Sequence, residues 1–389
     1  MIKEGAHTFI DGGGPVVPYL GKYAVKDAGV FERIRDRFAH AGMAEAPYRP
    51  LRIEFELTTK CNDSCPSCGM GALPLAEGAT LTPGRRARMV DEFDAIGLPS
   101  VAITGGEPFT ATHALYPLMA QLAGRGIEIS KLTTNGLWGA ERRCARTFDR
   151  LERTGWLDTR LFVPLLMVSV GEQATPLSWI ARIIRQSVTR YTGRELNIAV
   201  SSLADPADRS HKVYDLIRVY EELFGDFPHD RVHSTMRVYL DNERLPGQKA
   251  VHRPGHTTVD RWMDACYDCF APTVGTYILP TALLKHDGRV YSCAAFNVPE
   301  RLAFGNLWDQ PLRDILAAAN RDAYVQAVRG GGGLKALHGH VPQEFTGGTE
   351  CDSFCGSCRL LIGEFDRARG AASPVLIPAE SLFARQDPR

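Results

Sequence analysis

Three cysteines stand close together in the first part of the chain, at a spacing that suits an inorganic centre. Cys61, Cys65 and Cys68 form a C-x3-C-x2-C pattern directly after the strand-like run 51–57. This spacing is too tight for one face of a helix or strand, so it predicts a loop that wraps a single centre. Cysteine thiolates are the usual ligands of iron–sulfur clusters, and a [4Fe–4S] cubane takes four ligands. A loop that supplies three leaves one iron open to a non-protein ligand, which is how a reactive cluster is built.

Two other uses of such a triplet are less well supported by the residues. A structural zinc site usually draws on two cysteine pairs, whereas the next cysteine after this triplet is Cys144. A disulfide framework is typical of small secreted chains, and the first residues of this 389-residue sequence show no apolar signal-peptide segment. The pattern therefore favours a cluster, with zinc as the open alternative.

The segment that begins at this first strand resembles the radical SAM superfamily. A C-x3-C-x2-C loop after the first strand is the signature of that family, and its second motif matches the GGEP turn Gly105–Pro108, which ends the run 101–104. The resemblance implies that the open iron binds the amino and carboxylate groups of S-adenosylmethionine. An electron then cleaves the sulfonium, and the 5′-deoxyadenosyl radical removes hydrogen from an unreactive carbon. Iron–sulfur potentials reach about −700 mV, low enough to approach this reduction.

The resemblance also implies cofactor-binding roles for particular residues. It assigns the GGEP turn to the amino group of S-adenosylmethionine, which here means Gly105, Gly106 and Glu107. Polar groups at other strand ends are assigned to the ribose, and these are Asn135, Ser169 and Ser201. An ordinary turn asparagine or a satisfied strand serine is the alternative for those three. The chain departs from the family at Ser67, where an aromatic residue often precedes the third cysteine, so we assign no adenine contact there.

Strand and helix patterns alternate from residue 51 onward. Apolar alternation predicts six strands, at 51–57, 100–104, 128–133, 165–170, 196–201 and 231–240. An amphipathic helix follows each of the first five, and the first of these helices has Thr82 as its N-cap and Pro83 at its first position. Such a series implies a parallel sheet with helices outside, and the family resemblance makes it a partial (β/α)6 barrel. Barrels carry their chemistry at the C-terminal strand ends, where the cysteine triplet and the GGEP turn both fall.

Two of these strands carry polar residues on one face, which indicates a lumen that receives a polar substrate. Glu54 and Glu56 alternate with apolar residues in the first strand, and His233, Arg237 and Tyr239 do so in the sixth. Parallel strands that are buried on both faces are usually almost entirely apolar. We predict these five as catalytic residues of the lumen, with Glu54, Glu56, His233 and Tyr239 as the candidates for a general base. A solvated face of an edge strand is the alternative.

The C-terminal part of the chain resembles the SPASM/Twitch extension of radical SAM enzymes. The matching runs are Asp287–Cys293 (DGRVYSC) and Phe304–Leu316 (FGNLWDQPLRDIL), followed by a helix over 311–328 and a closing C-x2-C pair. The resemblance implies a small cysteine-rich α+β domain that binds an auxiliary iron–sulfur cluster.

Six cysteines fall in this C-terminal unit. They are Cys266, Cys269, Cys293, Cys351, Cys355 and Cys358. Six thiolates cannot fully ligate two cubanes, so one auxiliary [4Fe–4S] cluster is the simplest expectation. The simplest ligand set is Cys269, Cys293, Cys355 and Cys358. Cys266 or Cys351 could replace a member of this set, or hold a second cluster with an open iron, and a structural zinc is the alternative.

The predicted fold class is therefore α/β, with the partial barrel followed by the auxiliary domain. The expected units are an N-terminal extension (1–50), the barrel (51–245), a linker (246–262), the auxiliary domain (263–362) and a tail (363–389). The extension holds one helix, over 30–41, and is too short for the winged-helix domain with which many peptide-modifying relatives bind a leader peptide. Cys144 shares a helical stripe with Phe148 and Leu151, which favours a packing role.

Composition narrows the classes of function. The 45 basic and 45 acidic residues leave no electrostatic footprint for nucleic acid or an anionic membrane, no apolar run is long enough to span a bilayer, and cysteines grouped in motifs favour a reducing cytoplasm. We expect an oxidoreductase or epimerase of natural-product biosynthesis that acts on a small polar substrate, such as a sugar or aminocyclitol, and draws electrons from a flavodoxin- or ferredoxin-type reductant. A ribosomal-peptide maturase, making a thioether, a C–C crosslink or an epimerised residue, is the main alternative. A non-enzymatic iron–sulfur or zinc protein is the other.

Overall fold

The computed structural model describes most of the barrel and much of the C-terminal unit. The described residues are 24–26, 29–43, 50–65, 68, 72–171, 174–202, 212–229, 231–236, 257–259, 281–293, 298–330, 333–351 and 354–369. The α-helices in these ranges are α1 (Val30–His40), α2 (Pro83–Ala95), α3 (Thr112–Gly124), α4 (Glu141–Glu152), α5 (Leu177–Arg190), α6 (Lys212–Phe224), α7 (Leu312–Arg321), α8 (Ala323–Gly330), α9 (Gln343–Gly348) and α10 (Phe354–Ala368). Short 3-10 helices span Pro108–Ala111, Glu300–Leu302 and Gly333–Gly339.

Most of the strands belong to one large sheet. The strands are β1 (Ala24–Val25), β2 (Arg52–Thr58), β3 (Lys60–Cys61), β4 (Leu73–Pro74), β5 (Ser100–Gly105), β6 (Glu128–Thr134), β7 (Phe162–Val163), β8 (Leu165–Val170), β9 (Asn197–Ser202), β10 (Val232–Met236), β11 (Thr257–Thr258), β12 (Thr281–Leu284), β13 (Arg289–Tyr291), β14 (Ala303–Asn306) and β15 (Glu350–Cys351). The large sheet runs in the order β10-β9-β8-β6-β5-β2-β12-β13-β14.

All six predicted strands are present, and each lies parallel to its neighbour in that series. Helices α2 to α6 connect them along the chain, so the prediction of an α/β fold with a parallel sheet is confirmed. Within the described residues the sheet does not close on itself, since β10 and β14 are its outer strands. Because these six strands are parallel, their C-terminal ends lie at the same edge of the sheet, as in a partial barrel.

The sheet buries its helix-facing side in the main hydrophobic core. Ile53, Phe55 and Leu57 of β2 are fully buried there, and the ring of Phe55 lies 6.2 Å from the ring of Phe93 on α2. The predicted N-cap of α2 is also confirmed, because the Thr82 hydroxyl accepts a hydrogen bond from the backbone N–H of Arg85 at 3.3 Å.

The N-terminal extension belongs to the same core. On the predicted helix α1, residues Val30, Ile34 and Phe38 are all buried and pack in the main hydrophobic cluster. Arg37 on the same helix donates to the backbone carbonyls of Gly97 and Gly126, which precede β5 and β6. The helix thus packs at the N-terminal edge of the sheet, opposite the cysteine loop. No helix in the described ranges is long and apolar enough to cross a membrane.

The C-terminal unit contributes a strand to the barrel sheet, which the sequence did not predict. Strand β12 pairs in parallel with β2, and its residues Ala282 and Leu284 are buried in the main core. Three hydrogen bonds among the described residues join this unit to α2: Arg88 donates to the Trp308 carbonyl (2.9 Å), the Leu312 N–H donates to the Glu92 carboxylate (2.8 Å), and Arg313 donates to the Ala95 carbonyl (3.2 Å). The first hairpin of the C-terminal unit is therefore an extension of the barrel sheet.

The prediction of one continuous helix over 311–328 is wrong, because two helices occupy that range. Helix α7 ends before Asp322, whose backbone is extended. The Asp322 side chain then accepts a hydrogen bond from the Val325 N–H at 3.0 Å at the start of α8, and it also pairs with Arg301 at 2.7 Å. An aspartate that bonds to nearby backbone donors favours a helix start over a helix interior, and the apolar periodicity alone did not reveal this.

Candidate functional site

The cysteine loop leaves the C-terminal end of β2 and is held there by backbone hydrogen bonds. The Thr59 N–H donates to the Ala79 carbonyl at 2.9 Å, and the Thr59 carbonyl accepts from the Leu73 N–H at 2.8 Å. The Thr58 hydroxyl adds a bond to the same Ala79 carbonyl at 2.8 Å. The segment 73–80 thus fixes the strand-to-loop junction, so that Cys61 stands at the C-terminal edge of the sheet.

The three thiols of this loop are half-buried and lie close enough to influence one another. Burial raises the pKa of the Cys61 thiol to about 11, with further contributions from the charges of Glu107 and Cys68. Burial likewise raises the pKa of Cys65 to about 12, with added contributions from Asp63, Cys68 and Cys61. Without a metal the thiols of Cys61 and Cys65 therefore stay protonated at neutral pH. Iron must displace those protons, because the thiolate is the form that binds metal.

The thiols of this loop have the chemistry that a cluster requires. Among the residues that the structure describes, no three cysteine, histidine or carboxylate side chains are close enough together to share one metal ion. A cubane makes a different demand, because each ligating sulfur binds its own iron atom. Three neighbouring, half-buried thiols on one loop meet that demand, and Cys61, Cys65 and Cys68 are the residues that would hold the cluster.

The GGEP turn at the end of β5 is joined directly to the cysteine loop. The Gly106 N–H donates to the Thr58 carbonyl at 2.6 Å, and the Glu107 N–H donates to the Lys60 carbonyl at 2.7 Å. Gly105 has a φ of 134°, which side-chain-bearing residues rarely adopt. A Cβ atom on Gly106 would lie closer than 3.0 Å to the Lys60 carbonyl oxygen. The two glycines thus let the end of one strand lie against the start of the cluster loop.

The fit around Gly106 leads to a test of this junction. We expect Gly106→Ala to lower the free energy of unfolding by about 1–3 kcal/mol, because the added methyl group must push backbone away from backbone. Gly124→Ala is the matched control, since that glycine ends α3 with nothing within 4 Å of its missing Cβ. Urea titration of both variants measures the difference. Equal stability of the two would show that the junction adapts to a side chain.

Glu107 connects the ends of two neighbouring strands through its buried carboxylate. One oxygen accepts from the Phe109 N–H at 3.0 Å and the Thr134 hydroxyl at 2.9 Å, and the other accepts from the Asn135 N–H at 2.6 Å. Burial raises the pKa of this carboxyl to about 7, although all three hydrogen bonds lower it. Thr134, which the sequence analysis did not single out, also accepts bonds from the Gly136 N–H and from the Trp138 indole.

Asn135 reaches from the end of β6 to the cysteine loop. Its side-chain amide donates to the Asn62 side chain at 3.0 Å and lies 3.9 Å from the Cys61 sulfur. Its carbonyl oxygen accepts from the Leu137 N–H at 3.1 Å, which is the turn role considered as the alternative. Asn135 therefore serves the turn and the loop together, and its assignment to the cofactor ribose stays a prediction.

The two serines predicted to bind the cofactor are neighbours across the sheet. Ser169 of β8 pairs in register with Ser201 of β9, which in turn pairs with Thr235 of β10. The row lies one residue from the C-terminal ends of β8 and β9, at the same edge as the cysteine loop. The structure thus brings Ser169 and Ser201 together, and their role stays a prediction.

The predicted catalytic residues of the first strand are buried and have partners within the protein. Glu54 pairs with Lys131 of β6, whose ammonium nitrogen is 2.8 Å from both carboxylate oxygens, and Arg52 lies 3.8 Å away. Glu56 accepts a hydrogen bond from the His286 N–H at 3.0 Å, and burial raises the pKa of its carboxyl. Neither glutamate lies on a solvated face, since they are 8% and 7% exposed.

The sixth-strand candidates are only partly covered by the structure. The backbone of His233 pairs with Ala199 of β9 in β10, the outermost strand on that side of the described sheet. Arg237 and Tyr239 lie outside the described residues. Lys131 is the lumen residue that the sequence analysis missed. The signal in the sequence was a lysine within the otherwise strand-like run 128–134. In the structure this lysine is only 2% exposed.

Two of the C-terminal cysteines lie beside a second hydrophobic core. This core is formed mainly by α8, α10 and the loops around them, and half-buried Cys293 and Cys358 pack against it. Tyr324 of α8 places its hydroxyl 3.1 Å from the Cys358 sulfur. Backbone alone is described for Cys351, which pairs with Thr257, and for Cys355, in the first turn of α10. Cys266 and Cys269 lie outside the described residues.

The two sequence motifs of the C-terminal unit meet in the structure. Gly288, at the β12–β13 turn, has a φ of 98°. Its carbonyl accepts from the Leu307 N–H at 2.8 Å, and the Asn306 amide donates to the Asp287 carbonyl at 3.1 Å. The DGRVYSC and FGNLW runs therefore form one hairpin-and-turn unit, and Arg85 of α2 lies 5.1 Å above the Trp308 ring. Cys144 is buried in the main core with Phe148, as its helical stripe predicts.

Comparison with known proteins gives a short sequence match and several fold likenesses. Over 108 residues the chain is 33% identical to GTP 3′,8-cyclase of Parasynechococcus marenigrum (strain WH8102); the match covers 25% of this chain and 30% of the cyclase, so it spans less than a third of that relative. The structure of BtrN in complex with AdoMet and 2-DOIA has a TM-score of 0.39 at 16% identity, covering 75% of this chain and 89% of that one. Streptococcus suis SuiB bound to S-adenosylmethionine has a TM-score of 0.37 at 14% identity, covering 74% and 72%. No protein-family model matches the chain.

The motifs found in the sequence and their placement in the structure agree with each other. A C-x3-C-x2-C loop follows the first strand of a parallel α/β sheet, and the GGEP turn of the neighbouring strand is hydrogen-bonded to that loop. In both respects the chain resembles the radical SAM superfamily.

Proposed function

We propose that the protein is a radical SAM enzyme that abstracts hydrogen from a small polar natural product, of the sugar or aminocyclitol type, and dehydrogenates or epimerises it at a carbinol carbon. The observation that carries this proposal is the meeting of the cysteine loop, the GGEP turn and Asn135 at one edge of a sheet whose other face carries buried charged residues beside a small apolar cluster. The buried charged residues are Glu54, Glu56 and Lys131. These groups have partners within the protein, and charged groups on this face suit a substrate that forms hydrogen bonds better than an apolar one.

The cofactors proposed for this site are a [4Fe–4S] cluster and S-adenosylmethionine, which together supply a 5′-deoxyadenosyl radical. The chain holds them with its own residues. Cys61, Cys65 and Cys68 would ligate the cluster, and Gly105–Glu107 with Asn135 would orient the bound cofactor at the strand ends. The backbone bonds of Thr58 and Lys60 to the GGEP turn keep these two parts of the site at a fixed separation.

Dehydrogenation needs a path for two further particles after the hydrogen atom leaves the substrate carbon. The hydroxyl proton goes to a base, and Glu56 suits this role because burial raises the pKa of its carboxyl toward the working pH. The C-terminal cysteines would hold an auxiliary [4Fe–4S] cluster, which would supply an acceptor for the remaining electron. An external reductant of the flavodoxin or ferredoxin type supplies the electron that starts each cycle. Epimerisation would instead require a hydrogen-atom donor at this point.

The cluster content is the first test of the proposal. Iron and sulfide per chain are measured after anaerobic reconstitution, in the wild type and in a Cys61/Cys65/Cys68→Ala variant. Because each cubane holds four irons, we expect about eight irons in the wild type and about four in the variant. About four irons falling to none would remove the proposed electron acceptor. About twelve would indicate two auxiliary clusters.

Formation of 5′-deoxyadenosine then tests the reaction. The wild type with dithionite should cleave S-adenosylmethionine, and the triple variant should form no 5′-deoxyadenosine above background. A screen of sugars, aminocyclitols and peptides for accelerated cleavage identifies the substrate class, and Glu56→Gln is then compared with the wild type for product formed per 5′-deoxyadenosine. Absence of 5′-deoxyadenosine from the fully loaded wild type would contradict an enzymatic role, and acceleration by peptides alone would favour a peptide maturase.

A further inference from the structure

Tyr324 is a buried tyrosine in the second hydrophobic core, on the side that faces the last cysteine. It lies on α8 with no exposed surface, and its ring meets Phe365 of α10 edge to face, with centroids 5.5 Å apart. A buried tyrosine hydroxyl normally has a hydrogen-bond partner, because an unpaired one costs free energy. The position of that partner therefore indicates what the hydroxyl does.

The hydroxyl of Tyr324 points at the sulfur of Cys358. The oxygen–sulfur distance is 3.1 Å, while the Cys358 backbone carbonyl is at the outer limit for a hydrogen bond, at 3.5 Å. Either atom of the oxygen–sulfur pair could donate while the cysteine is a free thiol. A cysteine that ligates iron is a thiolate and has no proton, so in the loaded protein the tyrosine must be the donor.

We propose that Tyr324 is a positioning residue that donates a hydrogen bond to the Cys358 thiolate of the auxiliary cluster and so raises the reduction potential of that cluster. The inference rests on the auxiliary cluster of the proposed function. Reduction of a [4Fe–4S] cluster adds one negative charge, and a donor to a ligating sulfur stabilises the more negative state. Outer donors of this kind tune metal centres generally. A higher potential would make the cluster a better acceptor for the electron that the substrate releases.

The same core offers a matched control. Tyr291 is also fully buried, but its hydroxyl donates to the Glu300 carboxylate at 2.8 Å. Tyr324→Phe and Tyr291→Phe each remove one buried hydroxyl and keep the ring, so their effects on packing are comparable. Only Tyr324→Phe removes a hydroxyl that lies against a sulfur atom, whereas Tyr291→Phe removes a donor to a carboxylate.

The experiment uses the Cys61/Cys65/Cys68→Ala variant, in which the auxiliary cluster is the only one expected. Iron content is measured first, and an anaerobic redox titration followed by electron paramagnetic resonance then gives the potential. With Tyr324→Phe we expect an unchanged iron content and a lower reduction potential. At a fixed applied potential, the ratio of reduced to oxidised cluster should fall about tenfold, which for one electron corresponds to a shift of about 59 mV. Tyr291→Phe should leave the ratio unchanged.

A second readout reports the hydrogen bond itself. In the reduced cluster, an exchangeable proton coupled to the electron spin should disappear on transfer to D2O and should be missing in Tyr324→Phe. Iron retained with an unchanged potential and an unchanged proton signal would overturn the inference and leave the auxiliary cluster in place. Loss of iron from Tyr324→Phe alone would also overturn it, because the tyrosine would then be needed for assembly. Iron absent even before either substitution would contradict the auxiliary cluster.

Discussion

Replacing Lys131 with methionine should lower the free energy of unfolding by about 3–5 kcal/mol, the range for breaking a buried ion pair by removing one partner. Lys131 and Glu54 have side chains that are 3% and 10% exposed, and the ammonium lies 2.8 Å from both carboxylate oxygens. Without the lysine, Glu54 stays buried, and Arg52 lies farther away, at 3.8 Å. Most of the cost comes from that under-compensated carboxylate, and urea titration measures it.

A double-mutant cycle separates the charge effect from packing. Glu54→Gln combined with Lys131→Met should regain much of the lost stability, since neither ion then remains without its partner. Arg125→Met is the surface comparison: Arg125 pairs with Asp91 and Asp94 across exposed side chains, so its loss should leave the unfolding midpoint almost unchanged. If Lys131→Met were as mild as Arg125→Met, the buried pair would contribute nothing and a free role for Glu54 in the lumen would gain support.

The sequence predicts the elements of the barrel better than it predicts contacts between distant strands. Apolar alternation located all six parallel strands, and the Thr82 cap and the Val30–Phe38 stripe were read correctly. The β12–β2 pairing could not be read, because a four-residue strand such as Thr281–Leu284 carries no information about its partner. The pairing of Glu54 with Lys131 was hidden for a related reason. Both residues align with Ala102 of the strand between them, and only the register makes them neighbours.

In the candidate site, too, the residues could be predicted from the sequence and most of their contacts could not. Family resemblance singled out the GGEP turn, the cysteine loop and Asn135, and the structure brings these three together. It did not indicate that the glycines are required by backbone contacts with Thr58 and Lys60, since such contacts depend on how two strands end in space. Thr134 was also missed, because a threonine in a strand is common and only its three hydrogen bonds distinguish it.

The buried carboxyl of Glu107 should make the free energy of unfolding of the cluster-free chain fall as the pH rises from about 4.5 to about 7. Burial raises the pKa of its carboxyl from 4.5 to about 7, so the folded chain binds this proton more tightly than the unfolded chain does. The resulting stabilisation is complete below about pH 4.5 and is lost as the pH rises through about 7. Each tenfold change in proton affinity is worth about 1.4 kcal/mol, so ionising Glu107 in the folded chain costs about 3 kcal/mol.

The comparison with Glu107→Gln isolates this effect from other titrating groups. The amide stays neutral, so the free energy of unfolding of the wild type minus that of the variant should fall by about 3 kcal/mol between pH 4.5 and pH 8. The hydrogen bonds that the substitution alters add a constant to this difference and do not change its slope. Glu195→Gln should give no slope over this range, because hydrogen bonds from Thr192 lower the pKa of exposed Glu195, and the contribution of such a carboxyl changes only below its ordinary pKa of 4.5. Urea titrations over this pH range measure both slopes. In the loaded protein, the ammonium group of S-adenosylmethionine near Glu107 would favour the carboxylate and flatten its slope, whereas an unchanged slope would argue that the cofactor amino group lies elsewhere.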